Sequence, residues 1–303
     1  MRRQAALVLL VAALGACGGD DDAAAPASST TTTVETAIAP EYERYVDERF
    51  REVDVTSDVE YGRAPGVGGE PEALLLDLFQ PRGDDEVDRA AVIFAHGGGF
   101  GFGDKTQGVS PTLAREFAQL GYVTASINYR LLAPGGCTGA STADNSCSTA
   151  ALEGIHDGQA AVRWLRANAE TYGVDPDRIG IAGESAGGVM AYGAGTWSDA
   201  PGESGTPGVS SEVQAFMSLS GGLPGGLFAD AGDAPGIFFA SVGDPIVPYS
   251  WSVDGHRNLT AAGVAAELVT YQGDVHVPFR EQRDDIVRRT IDFFAEHLVG
   301  SGG

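Results

Sequence analysis

Ile179-Gly180-Ile181-Ala182-Gly183-Glu184-Ser185-Ala186-Gly187 is the stretch that decides the fold. Residues 178–182 read as a short buried strand, and residues 186–196 as a helix of small residues. A strand that passes directly into a helix must turn sharply. Glycines two before and two after Ser185 leave room for the backbone in that turn, and the serine is lifted above the sheet edge. A hydroxyl displayed there is a candidate nucleophile. A glycine-rich helix start with a capping serine is the plain alternative.

Outward from this turn, strand and helix patterns alternate. Residues 73–79 read as a strand, ended by Gln80-Pro81-Arg82-Gly83, and residues 90–95 as a continuous apolar strand buried on both faces. Residues 111–120 look helical, with Gly121 as the stop, and 122–127 form another strand. Residues 150–172 read as one long helix, because Ile155, Ala161, Val162 and Leu165 recur at helical spacing; Asp175-Pro176-Asp177 then turns the chain. Strands follow at 215–219, 237–242 and 266–271, and a last helix at about 283–298. This alternation predicts an α/β fold with a mostly parallel central sheet and helices on both faces.

Three further stretches carry chemistry. His96-Gly97-Gly98-Gly99-Phe100 directly follows a predicted strand. Attack on an ester carbonyl creates an oxyanion that needs preorganised N–H donors, and a glycine run turns amides toward one point without side-chain obstruction. Gly98 and Gly99, with Ala186, are the expected donors. No Lys-Ser/Thr follows in phosphate-loop spacing. Asp244 follows the strand at 237–242, where a carboxylate can fix a histidine's tautomer above the sheet. A turn aspartate before proline is its ordinary use, and Asp274 and Asp230 are alternates. Of the five histidines, His276 lies in the loop after the last predicted strand, where a base belongs. His96 is expected to order the glycine loop, His156 and His256 lie in helical stretches, and His297 is expected to be solvated on the last helix. A base must be neutral to act, so activity is expected to fall at acid pH.

Together these stretches resemble the α/β-hydrolase esterases over nearly all of residues 70–298. His96 to Phe100 is similar to the hormone-sensitive-lipase-like and carboxylesterase branches, and Gly183-Glu184-Ser185-Ala186-Gly187-Gly188 to the carboxylesterases. Tyr172-Gly173-Val174-Asp175-Pro176-Asp177-Arg178-Ile179 is similar to the segment before the nucleophile in both. Asp244-Pro245-Ile246-Val247-Pro248 resembles the Asp-x-x-Val-Pro acid motif, although Ala240-Ser241 stands where the family usually has His-Gly. The order Ser185, Asp244, His276 is the order of that fold. The resemblance implies an α/β-hydrolase fold with a small cap or none, and a serine hydrolase cleaving carboxylic esters through an acyl-enzyme. It calls for a small-molecule ester substrate and neither metal nor organic cofactor. A peptidase or amidase on the same fold is the rival expectation, and a non-catalytic surface binding protein a more distant one. The loops at 198–211 and 137–147 are expected to rim the pocket.

The chain ends and composition bound where this chemistry happens. Arg2 and Arg3 precede an apolar run at 5–16, the length of a signal-peptide core and short for a bilayer span. Leu14-Gly15-Ala16-Cys17 resembles the bacterial lipobox, which implies a signal peptide at 1–16 and lipid attachment at Cys17. The protein is then exported and held on the outer side of the cell membrane; ordinary secretion with cleavage near Ala16 is the alternative. Residues 17–40, rich in Asp, Ala, Ser and Thr, cannot bury enough apolar surface to order themselves and read as a tether to a catalytic domain at 41–299. Cys137 and Cys147 remain; an oxidising compartment lets them pair, and free thiols or half a metal site are the alternatives. A net charge of −23 repels phosphate backbones, so nucleic acid is not an expected partner.

Overall fold

A computed structural model describes residues 43–137, 145–197 and 202–300; the expected signal peptide, Cys17 and the whole expected tether lie outside them. The apolar runs pair edge to edge in one sheet. Its eight strands are β1 (Val53–Pro65), β2 (Pro71–Pro81), β3 (Arg89–Ala95), β4 (Val123–Ile127), β5 (Val174–Glu184), β6 (Ala215–Leu219), β7 (Gly236–Ser241) and β8 (Ala266–Tyr271), in the order β1-β2-β4-β3-β5-β6-β7-β8. Only β2 runs against its neighbours; from β4 to β8 every pairing is parallel.

Period-two alternation sends each strand into two cores. In β3, Ala91, Ile93 and Ala95 join one apolar cluster and Ala90, Val92 and Phe94 the other, which is why the strand reads as a continuous apolar run. The first cluster packs beneath α2 (Asn145–Ala167), α4 (Ala186–Thr196) and α5 (Tyr249–Ala261), through Val162, Met190 and Leu259. The second packs beneath α1 (Ser110–Leu120) and α6 (Phe279–Phe294), through Phe117 and Phe294. Helices therefore cover both faces of a mostly parallel sheet, as expected.

Four boundaries differ from expectation. β1 was not read at all: it is an edge strand whose central residues are mostly exposed and polar, so it lacks the apolar alternation of a half-buried strand. Asp175-Pro176-Asp177 does not precede β5 but bulges within it, where pairing with β3 jumps from Val174 to Ile179. The long helix starts earlier, at Asn145, and stops at Ala167; Asn168 leaves helical geometry before a short α3 (Ala169–Tyr172) that Gly173 ends in left-handed conformation. α6 starts at Phe279, kinks at Gln282, and passes into a π-helical turn at Ala295–Val299. In that turn His297 is not solvated but half-buried, its ring 4.4 Å from that of Phe293.

Behind the sheet's carboxyl edge, a buried ion network fixes α2. Arg130, just past β4, bonds Asp157 of α2 through Nε and Nη2 at 2.7 to 3.0 Å, and Glu153 at 2.7 Å. Ser204 Oγ donates to Asp157 at 2.7 Å, which draws the segment after residue 202 onto the same network. Asp157 is fully buried, and these partners satisfy its side-chain oxygens. Strand ends after β5, β7 and β8 then converge at one edge of the sheet, where ligand sites of open α/β sheets form.

Candidate active site

Ser185 occupies the turn between β5 and α4 with φ 52° and ψ −115°, outside the helix it precedes. Such a backbone is costly for any residue but glycine, and persists only where the surroundings enforce it. Two features do so. The Ser185 N–H donates to the Leu219 carbonyl on β6 at 2.8 Å. A Cβ on Gly183 would overlap the Gly187 carbonyl, and a Cβ on Gly187 would overlap that of Ala95, so both glycines are required by close approach.

The hydroxyl so displayed meets the two residues expected of it. His276 Nε2 lies 2.8 Å from Ser185 Oγ, and His276 Nδ1 lies 2.7 Å from Asp244 Oδ2. A carboxylate only accepts, so Nδ1 carries the ring proton and Nε2 accepts from the serine. Asp244 Oδ1 accepts the N–H groups of Ile246 and Val247 at 2.8 and 3.0 Å, which pins the carboxylate from behind. The alternates Asp274 and Asp230 are exposed, and neither is a partner of His276.

The glycine loop closes on the same point. Gly98 and Gly99 have φ of 124° and 56°, and a Cβ on Gly98 would overlap the Phe102 carbonyl. Among the described residues neither N–H has an acceptor, and Ala186, first in α4, has no intrahelical one. Gly99 and Ala186 line one cavity with Ser185, and Gly98 and Gly99 line a second with Ser185 and His276. His96 orders this loop, as expected. Its Nδ1–H donates to the Gly97 carbonyl at 2.6 Å, and its ring stacks on Tyr129 at 4.4 Å. Burial holds its imidazole below the ordinary value, so it stays neutral.

Two contributors were not singled out from sequence. Glu184 is buried, and its Oε1 accepts the N–H groups of Val109 and Gly97 at 3.1 and 3.4 Å, tying β5 to the glycine loop. Its signal was a charge inside an otherwise apolar and glycine-rich stretch. Ser220 follows β6, and its Oγ accepts the Val277 N–H at 3.1 Å, one residue beyond His276. Val277 sits at φ 55°, unusual for a β-branched residue, so this bond holds a strained loop. No sequence motif marks Ser220.

Of the two expected rims, Cys137 and Cys147 form a disulfide and both line the apolar cavity. The described part of the other loop does not approach Ser185: Gly202, Glu203 and Ser204 line a separate hollow with Arg130 and His156. Ser204 is drawn there by its bonds to Arg130 and Asp157.

With this geometry, the comparisons with known proteins converge. The BD-FAE family matches residues 76–218, from β2 to β6. Lipase 1 of Geotrichum candidum is 32% identical over 131 residues, 42% of this chain and 23% of that one. Arylacetamide deacetylase-like 2 of Homo sapiens is 38% identical over 121 residues, 39% of this chain and 27% of that one. A thermophilic esterase from Thermogutta terrifontis, solved with propionate bound, superposes with a TM-score of 0.61 at 23% identity, over 77% of this chain and 92% of that one. A truncated carbohydrate esterase from gut microbiota gives 0.64 at 20% identity, over 85% and 100%. The chain has the α/β-hydrolase fold, and its matched stretch is similar to esterases and lipases. The shared part spans about a quarter of the length of these two curated relatives.

Glu184 makes this α/β-hydrolase site sensitive to pH. Burial raises its carboxyl above the ordinary value; the backbone donors and the His276 charge pull it back only in part. The folded state then binds this proton more tightly than the unfolded chain. That stability is present below the unfolded carboxylate value and is lost as pH rises through the folded one. Glu184→Gln lacks the loss. The urea midpoint of the variant relative to wild type is expected to rise as the pH is raised above about 4; a difference independent of pH contradicts the raised carboxyl.

Proposed function

We propose that this protein is a serine hydrolase that cleaves carboxylic esters through an acyl-enzyme. The observation that carries the reading is the unbroken chain Ser185 Oγ, His276, Asp244, with glycine amides beside the serine that have no acceptor among the described residues. Ser185 Oγ attacks the ester carbonyl as Nε2 of His276 takes its proton, and Asp244 stabilises the imidazolium. Gly98, Gly99 and Ala186 donate N–H groups to the tetrahedral oxyanion. His276 then protonates the departing alcohol, and a water attacks the acyl-serine by the same route. Lipase and esterase names among the relatives support the reaction class.

We place the protein outside the cytoplasm, held to the outer side of the cell membrane by lipid on Cys17. The Cys137–Cys147 disulfide supports an oxidising compartment. Among the described residues no helix is long and apolar enough to cross a membrane.

Three outcomes test this reading. Ser185→Ala is expected to lose at least about a thousandfold in kcat on p-nitrophenyl butyrate; equal turnover by both proteins would sink the proposal. Ser220→Ala releases the Val277 N–H and loosens His276, so kcat is expected to fall about tenfold with KM little changed, the worth of one buried hydrogen bond. An unchanged kcat removes Ser220 from the site. Cells fed a clickable palmitate analogue are expected to label the wild type in the membrane fraction and not Cys17→Ala; label on the variant contradicts the anchor.

A further inference from the structure

Two cavities of different chemistry meet at Ser185. One is apolar, about 140 Å³, and lined by Phe100, Cys137, Cys147, Ala151, Val189 and Trp251 among others. The other is wider, about 500 Å³, and brings Glu184, Gln107 and the glycine loop together with His276. If Ser185 works as proposed above, His276 protonates the leaving alcohol, so the alcohol occupies the cavity that His276 lines. The acyl chain is left with the apolar one, which His276 does not line.

The disulfide is part of that acyl chamber. Cys147 lies in the first turns of α2, and Cys137 in the segment after β4. Cys137 is also the close neighbour of the glycine loop: its N–H donates to the Gly99 carbonyl at 2.7 Å. Nearby, the Ala133 N–H donates to the Phe100 carbonyl at 3.0 Å. The segment at 133–137 thus lies on the glycine loop, and the disulfide ties it to α2 across the chamber wall. An apolar cavity of about 150 Å³ accommodates a benzene ring, so this chamber has room for about six carbon atoms.

We propose that the Cys137–Cys147 disulfide sets the acyl-length limit of this site, restricting it to esters of short acids. The inference rests on the Ser185 hydrolase reading and concerns only which esters that site takes. Cys137 and Cys147 both line this chamber, and Cys137 also lines the wider cavity. Removing them opens the chamber, and enlarging Ala151 on the adjacent turn of α2 shortens it.

The test is kcat/KM on p-nitrophenyl acetate, butyrate, octanoate and decanoate, read as ratios so that a uniform loss cancels. The wild type is expected to fall steeply beyond about six carbons. Cys137→Ala/Cys147→Ala is expected to raise the octanoate-to-butyrate ratio about tenfold, the lower end of what one methylene is worth in a fitted pocket. Ala151→Leu is expected to lower the butyrate-to-acetate ratio about tenfold, and decides the matter should the double variant fail to fold. Wild-type activity on octanoate equal to that on butyrate overturns the proposal, as do unchanged ratios in the variants. Absence of hydrolysis of every ester overturns the Ser185 reading itself, a distinct result.

Discussion

The backbone of Ser185, held at φ 52° and ψ −115°, is the constraint on which the site depends. A serine at the start of a helix normally caps it, accepting from an N–H one turn in. Here the side chain makes no such bond. The left-handed turn carries Oγ away from the α4 amides and toward Nε2 of His276. Conformations of this kind cost about 1–3 kcal/mol each. The cost is offset by the bond from Ser185 N–H to Leu219, and by glycines that let α4 approach the Ala95 carbonyl.

Strain recurs around this point. Phe100 in the glycine loop, Ser220 after β6 and Val277 after His276 also have φ between 52° and 57°. Each lies in a loop that positions one part of the site. Each is held by a specific bond: Phe100 by Ala133, Ser220 by Phe239, Val277 by Ser220. Two carboxylates do related work. Asp244 and Glu184 each accept two backbone N–H groups, so loops from different strands are fixed by their side-chain oxygens. On the proposed reading, donors and nucleophile are held in place before substrate arrives, the arrangement that electrostatic stabilisation of an oxyanion requires.

Much of this was legible in the sequence because the controlling signals are local. Buried parallel strands declare themselves as apolar runs, and Gly183 and Gly187 mark a turn that other residues cannot make. The order of Ser185, Asp244 and His276 along the chain matched strand ends that the topology brings together. What escaped reading depends on distant partners. β1 is an edge strand with no apolar stripe, and its place comes from pairing with β2. The Asp175 bulge reads locally as a turn, and only pairing with β3 on either side makes it part of a strand. Ser220 matters through a bond to a residue 57 positions away. The loop at 198–211 looked free to rim a pocket because Arg130 and Asp157, the partners of Ser204, lie far back in the chain.

The central claim is that Ser185 carries the acyl group between the two halves of the reaction. Rapid acid quench of the protein mixed with p-nitrophenyl acetate, followed by peptide mass spectrometry, tests it most directly. The account predicts one acetyl group per chain on the peptide bearing Ser185, absent from Ser185→Ala and accumulating in His276→Ala only far more slowly. Acetyl on another residue, or turnover with no acetylated intermediate on a substrate whose deacylation limits the rate, would contradict it.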